Sequence, residues 1–336
     1  MTASEPETKP NAESSTFDRL SVLVPTFNRP KKLLQTLEGY RRQTLDAANF
    51  QVVIIDDGSD IDVRELVDTT EFPFEIKLFR QRHRGSAKAK NKGIVKADYE
   101  VLLFTGDDII PDPGLLRQHL LTHNEHSSQE TAVLGLVDWA KHLEVNPVMH
   151  YVTEVGGQQF AFGDLNCGDE TDFWRFYTSN LSLKRSYLEE SKLLFEEKFR
   201  GCGFEDIEYG YRLSRDHNLK ILFNRQAIGF HDHPTNLMEF YKREFRVGEM
   251  QLLFSRLHPE IMQVELKDRS LSRIYDSLPE QLRALEHQLG RLEGRSSDST
   301  DNEKELQKVF QLDFIAYVLE FARDQGLKAA IKESPY

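Results

Sequence analysis

The chain has 336 residues, 39% hydrophobic and 29% charged, which is enough for one large or two ordinary globular domains. Its 43 Lys and Arg against 55 Asp and Glu give a formal net charge of -12, which argues against a nucleic-acid binder because such proteins carry a basic surface. The two cysteines, Cys167 and Cys202, imply no disulfide framework, so a reducing cytoplasm is the simplest compartment.

The chain opens with a polar segment, residues 1–16, that we interpret as a disordered lead because it lacks the apolar core of a signal peptide. Short apolar runs then alternate with amphipathic stretches, which predicts βαβ units and a mainly parallel, Rossmann-like sheet with helices on both faces. The predicted strands are residues 20–24, 50–55, 74–79 and 99–104. The predicted helices are residues 31–42, a helix beginning at residue 63, and residues 86–97.

Two of these strands end in pairs of aspartates. Asp56 and Asp57 follow the second strand, and Asp107 and Asp108 follow the fourth strand after Gly106. Because open α/β sheets bind ligands at the carboxyl ends of their strands, the first pair is a candidate for binding a ribose or a uracil. Adjacent carboxylates repel each other unless a cation lies between them, so the second pair indicates a divalent metal or diphosphate site. A turn for the first pair and a helix cap for the second remain open alternatives.

A basic segment, residues 80–92, lies between the third and fourth strands. Its local positive charge stands out in an acidic protein, and part of it could neutralise a diphosphate. Arg84 and Lys90 are the candidates, and a solvated helix face is the alternative for most of the segment.

Three histidines, His119, His123 and His126, lie on a helix predicted over residues 113–126, and we interpret them as a solvated surface. The remaining predicted elements of this half are short strands within residues 133–172, a strand and a helix within 174–194, and strands at 221–223 and 227–231. His231 and His233 end the last strand, and imidazoles complement carboxylates around a transition metal.

The segment GCGFEDIEYGYRL, residues 201–213, places Glu205 and Asp206 on a Gly-rich turn that opens a helix. A hydroxyl is a poor nucleophile until a base takes its proton, so this pair is the candidate for acid/base catalysis. Helix capping by Asp206, with Glu205 as surface charge, is the alternative.

The pattern changes after Pro234. Residues 236–257 predict one amphipathic helix, Leu278, Leu282, Leu285, Leu289 and Leu292 form a leucine seam, and residues 306–332 predict a returning helix. We therefore divide the chain into the lead, a catalytic domain over residues 17–235 and a helical C-terminal extension over 236–336. Packing onto the domain, homodimerisation and contact with a membrane surface are the roles open to the extension.

The chain resembles the family 2 glycosyltransferases with the GT-A fold over about residues 20–234. The resemblance is carried, in order, by VPTFNR, DDGS, GSAKAKNKG, FTGDDIIPDPGLL and GFEDIEYGYRL, the last similar to a C-terminal galactosyltransferase-type motif. It implies a nucleotide-diphosphate sugar, with UDP as the expected nucleotide, as donor. It also implies Mn²⁺ or Mg²⁺ as cofactor and a glycan or lipid-linked glycan as acceptor in polysaccharide biosynthesis.

The resemblance also implies a role for each matching residue. The residues for the nucleoside are Pro25, Thr26, Asn28 and Asp57, with Asp56 in support. Asp108, with Asp107, binds metal and diphosphate, and His231, or failing it His233, completes the metal shell. Asp206 is the base, with Glu205 beside it. The acceptor-side residues are Phe173, Trp174 and the Ser179–Asn180 turn.

Two positions depart from the family pattern. A carboxylate that often belongs to the metal motif is replaced by Gly106 or Thr105, and the usual Ala-Arg-Asn triplet is Ala89-Lys90-Asn91, which loses bidentate geometry. The implied reaction is a direct displacement that inverts the anomeric centre. A non-catalytic nucleotide- or glycan-binding module is the alternative, while a sugar nucleotidyltransferase is disfavoured because PTFNRPKK has no glycine-rich phosphate loop.

Overall fold

The computed structural model describes residues 16–200, 203–264 and 301–333. The predictions for residues 1–15 of the lead, for Cys202 and for the leucine seam lie outside these ranges.

Nine strands of the described residues form one curled, mostly parallel sheet. The strands are β1 Leu20–Thr26, β2 Phe50–Asp56, β3 Glu75–Arg80, β4 Val101–Thr105, β5 Ile109–Pro111, β6 Thr131–Trp139, β7 Glu170–Thr171, β8 Asn180–Lys184 and β9 Lys220–His231. Their order is β3-β2-β1-β4-β8-β6-β9-β5, with β7 paired to β9. The first four in this order are parallel, and Val22 of β1 lies between Val52 and Leu103. Their carboxyl ends therefore meet at one edge, as the sequence predicted.

The described helices follow the strands along the chain. They are α1 Pro30–Arg41, α2 Ser86–Lys96, α3 Leu115–Glu125, α4 Pro147–His150, α5 Arg185–Ser191, α6 Glu205–His217, α7 Leu237–Leu257 and α8 Asp301–Glu333. A π-helical turn, Tyr151–Val155, continues α4. Among the described residues, no helix is long and apolar enough to cross a membrane.

The two faces of the sheet have separate cores, because alternate residues of a strand point to opposite faces. On one face, Val52 and Ile54 of β2 pack in a cluster with residues of α1 and α3. On the other face, Val53 and Ile55 pack in a cluster with residues of α2, α5 and α6. The prediction of an α/β sheet covered on both faces is confirmed.

The structure differs from the prediction in four places. The helix expected from residue 63 is only a 3₁₀ turn, Val63–Glu65, and the two expected strands at 221–223 and 227–231 are one strand, β9. The segment expected to hold short strands also contains α4. His119 and His123 are fully buried rather than solvated, since α3 turns that face onto the sheet, where both rings contact the Ser182 hydroxyl.

The helical extension packs onto the domain that precedes it. Asn236 caps α7 through a capping box with Glu239. Leu237 and Phe240 of α7 then share an apolar cluster with residues of α4 and α8, and Val247 and Phe254 share another with Phe204. α7 and α8 approach closely at Gly248 and Gly326, where a side chain on either glycine would collide with the other helix.

A candidate active site at the carboxyl ends of the parallel strands

One cavity of about 1200 Å³ lies at the carboxyl ends of β1, β2 and β4. Its walls combine the three acidic clusters that the sequence places far apart, and they include Asp57, Asp108 and Asp206. The helical extension closes one side of the cavity with Arg243 and Glu244 of α7 and other residues of α7 and α8. Strand-end loops and the extension thus form a single site.

The first region of the cavity is built around Asp57. Its carboxylate accepts hydrogen bonds from the backbone N–H groups of Arg84 and Gly85, at 3.0 and 2.8 Å, and from Gln81 at 2.7 Å. The His83 ring contacts Asp57 and stacks on Phe27 with 4.1 Å between ring centroids. Both rings line the cavity and are exposed, so this region offers flat aromatic surface beside a carboxylate.

The second region is a cluster of Asp108, His231 and His233, whose potential ligand atoms lie within 4.8 Å of one another. Oδ2 of Asp108 lies 3.5 Å from Nε2 of His231 and 3.2 Å from Nδ1 of His233. A carboxylate and two imidazoles suit a divalent transition metal, so these donors fit the predicted metal site. Both histidines, rather than one of the two, belong to the cluster.

Arg29 joins this cluster to the neighbouring aspartate. Its guanidinium contacts Oδ1 of Asp107 and Oδ2 of Asp108, each at 2.6 Å. The Thr26 hydroxyl donates a hydrogen bond to the other oxygen of Asp107, at 2.7 Å. Burial raises the pKa of Asp107 to about 6, while Arg29 opposes that rise. Burial would also raise the pKa of Asp108, but contact with His231, His233 and Arg29 holds it well below its usual range.

The third region contains Asp206, in the first turn of α6. One of its oxygens accepts a hydrogen bond from the Lys90 ammonium. The other accepts two from Thr178, from its backbone N–H at 3.1 Å and from its hydroxyl at 2.7 Å. These donors fix the carboxylate at the cavity wall, where it can take a proton from a bound hydroxyl.

Lys90 also contacts Glu205, at 3.3 Å, and all but 5% of its surface is buried. Burial disfavours the charged ammonium, but attraction by Asp206 and Glu205 raises the pKa of Lys90 above its ordinary value. Burial raises the pKa of Glu205, and Lys90 opposes that shift. The structure therefore places Lys90 as a counter-ion beside the acidic pair.

Six predicted site residues do not line the cavity: His231, Phe173, Asn180, Asp56, Asn28 and Arg84. His231 contacts Asp108, which does line it, and the Phe173 ring packs against Trp174 and Tyr211. Asn180 is buried, and its amide donates hydrogen bonds to the carbonyls of Leu136 and Ala227, so it supports the sheet. Asp56 is buried under the turn that follows β2 and accepts a hydrogen bond from the Ser59 N–H group. Asn28 and Arg84 make loop contacts, Asn28 to Ser59 and Asp60 and Arg84 through its backbone to Asp57. Pro25, Thr26, Trp174 and Asp107 do line the cavity.

Besides Phe27 and His83 of the first region, sequence reasoning missed three residues at the site. Arg29 contacts both Asp107 and Asp108, and Thr178 donates hydrogen bonds to Asp206. Gln159 lies 3.5 Å from Nδ1 of His231 and accepts a hydrogen bond from Arg243 of α7. Arg29 and Phe27 both lie in a motif quoted for the resemblance, VPTFNR. Thr178 and Gln159 belong to loops that carry no such pattern.

Comparison with known proteins finds similar sequences and structures. Residues 21–142 match the family model described as "Glycosyl transferase family 2". The chain is 31% identical over 233 residues to validoxylamine A glucosyltransferase of Streptomyces hygroscopicus subsp. jinggangensis, an alignment that covers 62% of the chain. It is 26% identical over 248 residues to chondroitin synthase of Escherichia coli, covering 65% of the chain and 35% of that protein. The chain spans 54% of the first relative, about half its length.

Solved structures agree on the fold. S. aureus TarS 1-349 in complex with UDP matches with a TM-score of 0.54 and 16% identity, covering 95% of this chain and 93% of that one. The mannosyltransferase PcManGT from Pyrobaculum calidifontis, in complex with GDP-Man and Mn²⁺, matches with a TM-score of 0.55 and 15% identity, covering 95% and 88%. The fold is therefore GT-A, and the family match with the names of the relatives supports a glycosyltransferase.

Proposed function

We propose that the protein is a metal-dependent glycosyltransferase that moves a sugar from a nucleotide-diphosphate sugar to an acceptor hydroxyl with inversion of configuration. The observation that carries the proposal is the single cavity that joins Asp57, the Asp108 cluster and Asp206. Neighbours of the same fold bind UDP, or GDP-Man with Mn²⁺, which supports a nucleotide-sugar donor. UDP is the nucleotide we propose, and the acceptor is a glycan or lipid-linked glycan in polysaccharide biosynthesis.

The donor is proposed to lie across the first two regions of the cavity. Its base faces Phe27 and His83, whose stacked rings offer an aromatic surface to a flat heterocycle. Its diphosphate lies beside Asp107 and Asp108, at the end of β4. Two imidazoles and a carboxylate, from His231, His233 and Asp108, would hold Mn²⁺ or Mg²⁺. Such an ion, when bound, neutralises the charge of the leaving diphosphate.

The acceptor is proposed to enter the third region. Asp206 takes the proton of its hydroxyl while that oxygen attacks the anomeric carbon from the side opposite the leaving nucleotide diphosphate. Lys90 and Thr178 keep the carboxylate in place during the attack. Trp174, which lines the cavity, offers a ring face to a sugar. Glu205 lies beside the base and shapes the same wall, while Arg84 and Asn180 keep the loop and sheet contacts described above.

The experiment measures release of nucleotide diphosphate from a panel of sugar nucleotides with Mn²⁺, with and without a chelator. The Asp206→Asn variant removes the proposed base, and Asp216→Asn, on the exposed end of the same helix where Asp216 pairs with Arg215, is the matched control. We expect release from one donor, loss of release with chelator, and a fall of at least 100-fold in D206N alone. NMR of the fresh product gives its anomeric configuration.

Two results would count against this function. Tight nucleotide binding with no release from any donor, in the presence of glycan acceptors, would favour the non-catalytic binding module. A product with retained configuration would exclude Asp206 as the base of a single displacement.

A further inference from the structure

Arg29 lies between the two aspartates of residues 106–108, Gly-Asp-Asp, which we call the GDD segment. Its side chain is 39% exposed at the cavity wall, yet its two terminal nitrogens reach separate, buried carboxylates, Asp107 and Asp108, at 2.6 Å each. A third carboxylate in place of Gly106 is disfavoured locally, since a Cβ there would lie 2.8 Å from Oδ1 of Asp108. The segment is thus built around two carboxylates and one guanidinium.

The same guanidinium contacts two of the three candidate metal ligands. Its Nη1 atom lies 2.6 Å from Oδ2 of Asp108 and 3.1 Å from Nδ1 of His233. A divalent ion would need to approach both atoms to about 2.0–2.2 Å, which is the usual metal–ligand distance. A neutral imidazole has one lone pair, on the ring nitrogen without a hydrogen, so Nδ1 of His233 cannot bind an ion while it accepts a hydrogen bond from Nη1. In this rotamer Arg29 therefore competes with an ion for His233 and for the Asp108 carboxylate.

We propose that Arg29 is an internal competitor of the metal, which a divalent ion must displace from Asp108 before it binds. The inference rests on the proposed metal site and adds a residue that sets its affinity. Because the displaced guanidinium stays at the cavity wall, it becomes available to the diphosphate, for which a planar guanidinium is well suited. Metal binding is therefore weak without nucleotide and stronger with it.

The test measures direct binding of Mn²⁺ alone, using the EPR signal of the free ion to determine how much ion is bound. Arg29→Gln removes the competing cation, and the helix cap is kept because the Arg29 side chain makes no capping hydrogen bond. Lys31→Gln, an exposed residue of the same helix, has the same change in charge and is the control. Arg29→Lys keeps the charge but cannot span both carboxylates. Thermal unfolding confirms that each variant is folded.

We expect R29Q to bind Mn²⁺ about ten-fold more tightly than the wild type, R29K to lie between them, and K31Q to change the affinity less than three-fold. Addition of UDP should tighten Mn²⁺ binding in the wild type and have less effect in R29Q. Equal or weaker binding by folded R29Q would overturn the role of Arg29 and leave the metal site standing. Absence of Mn²⁺ binding in wild type and R29Q alike would remove the metal site itself, and the inference with it.

Discussion

Replacement of Lys90 by Met tests how the acidic pair is held. The Lys90 ammonium contacts Asp206 and Glu205 and lies 5.1 Å from the centre of the Phe195 ring, with little access to water. Met fills much of the same volume but carries no charge. The two carboxylates would then lie side by side at a largely buried position without a cation.

The loss of unfolding free energy expected for K90M follows from the burial of the acidic pair. Removal of one partner from a buried ion pair costs about 3–5 kcal/mol, because the remaining charge has lost both water and its partner. The Asp206 side chain is 22% exposed and retains its hydrogen bonds from Thr178, so the lower end of this range applies. We expect K90M to lose about 3 kcal/mol of unfolding free energy, and the double variant K90M/E205Q to recover part of that loss.

Urea denaturation of the wild type, K90M, K90M/E205Q and a control measures these free energies. Lys88→Met is the control, because Lys88 lies on the same helix and pairs with Glu197 at the surface, at 2.8 Å. Such exposed pairs contribute about 0–1 kcal/mol. If K90M were no less stable than K88M, or if E205Q added to its loss instead of relieving it, Lys90 would not be the counter-ion of the pair.

Three further predictions concern single residues. Thr178→Val removes one hydrogen bond to Asp206, which is worth about 1.5–3 kcal/mol because the acceptor is charged. We therefore expect kcat/KM for nucleotide diphosphate release to fall about 10–100-fold in T178V, while T178S retains activity. A T178V rate near that of the wild type would exclude a supporting role for this hydrogen bond. Burial lowers the pKa of His119 to about 4, below the 6.5 of an unfolded histidine, so the unfolded chain binds more protons between these values. The neutral His119 therefore contributes about 3 kcal/mol to the free energy of unfolding above pH 6.5, and this contribution is lost as the pH falls to 4. Urea denaturation between pH 7.5 and 4.5 should show a smaller decline of the unfolding free energy in H119Q than in the wild type. Equal declines would contradict this prediction. Gly326→Ala places a methyl group against the Phe245 carbonyl, so we expect the free energy of unfolding to fall by about 1–3 kcal/mol or more. Proteolysis within α8 should also become faster. An unchanged cleavage pattern would count against this contact between the helices.

The sequence allowed prediction of the parallel half of the sheet because its signals are local. Apolar runs such as VVII and VLLF mark strands covered on both faces, and polar clusters mark the places where they stop. Since parallel strands end at one edge, the convergence of Asp57 and Asp108 on one cavity followed from the pattern. Asp206 is placed there by α6, which begins at Glu205 directly after Phe204.

Tertiary packing decided what the sequence could not show. Whether His119 faces water or the sheet depends on which side of α3 meets β8, and Asn180 could be assigned to the cavity or to the sheet by pattern alone. A single sequence does not distinguish a polar residue that donates hydrogen bonds to buried carbonyls from one that binds a ligand. The partners of Arg29 were hidden for a similar reason, because they lie 78 and 79 positions further along the chain.

The helical extension links the chemistry of the cavity to a part of the chain that carries no catalytic motif. Arg243 of α7 donates a hydrogen bond to Gln159, and Gln159 in turn lies against Nδ1 of His231. Outer contacts of this kind fix the orientation of a metal-binding imidazole. Glu244, one position further on, pairs with Arg323 of α8, so the position of α8 constrains the same turn of α7. The extension therefore forms a wall of the site as well as a packing layer. A change at the crossing of α7 and α8 should reach the cluster of Asp108, His231 and His233 through this turn.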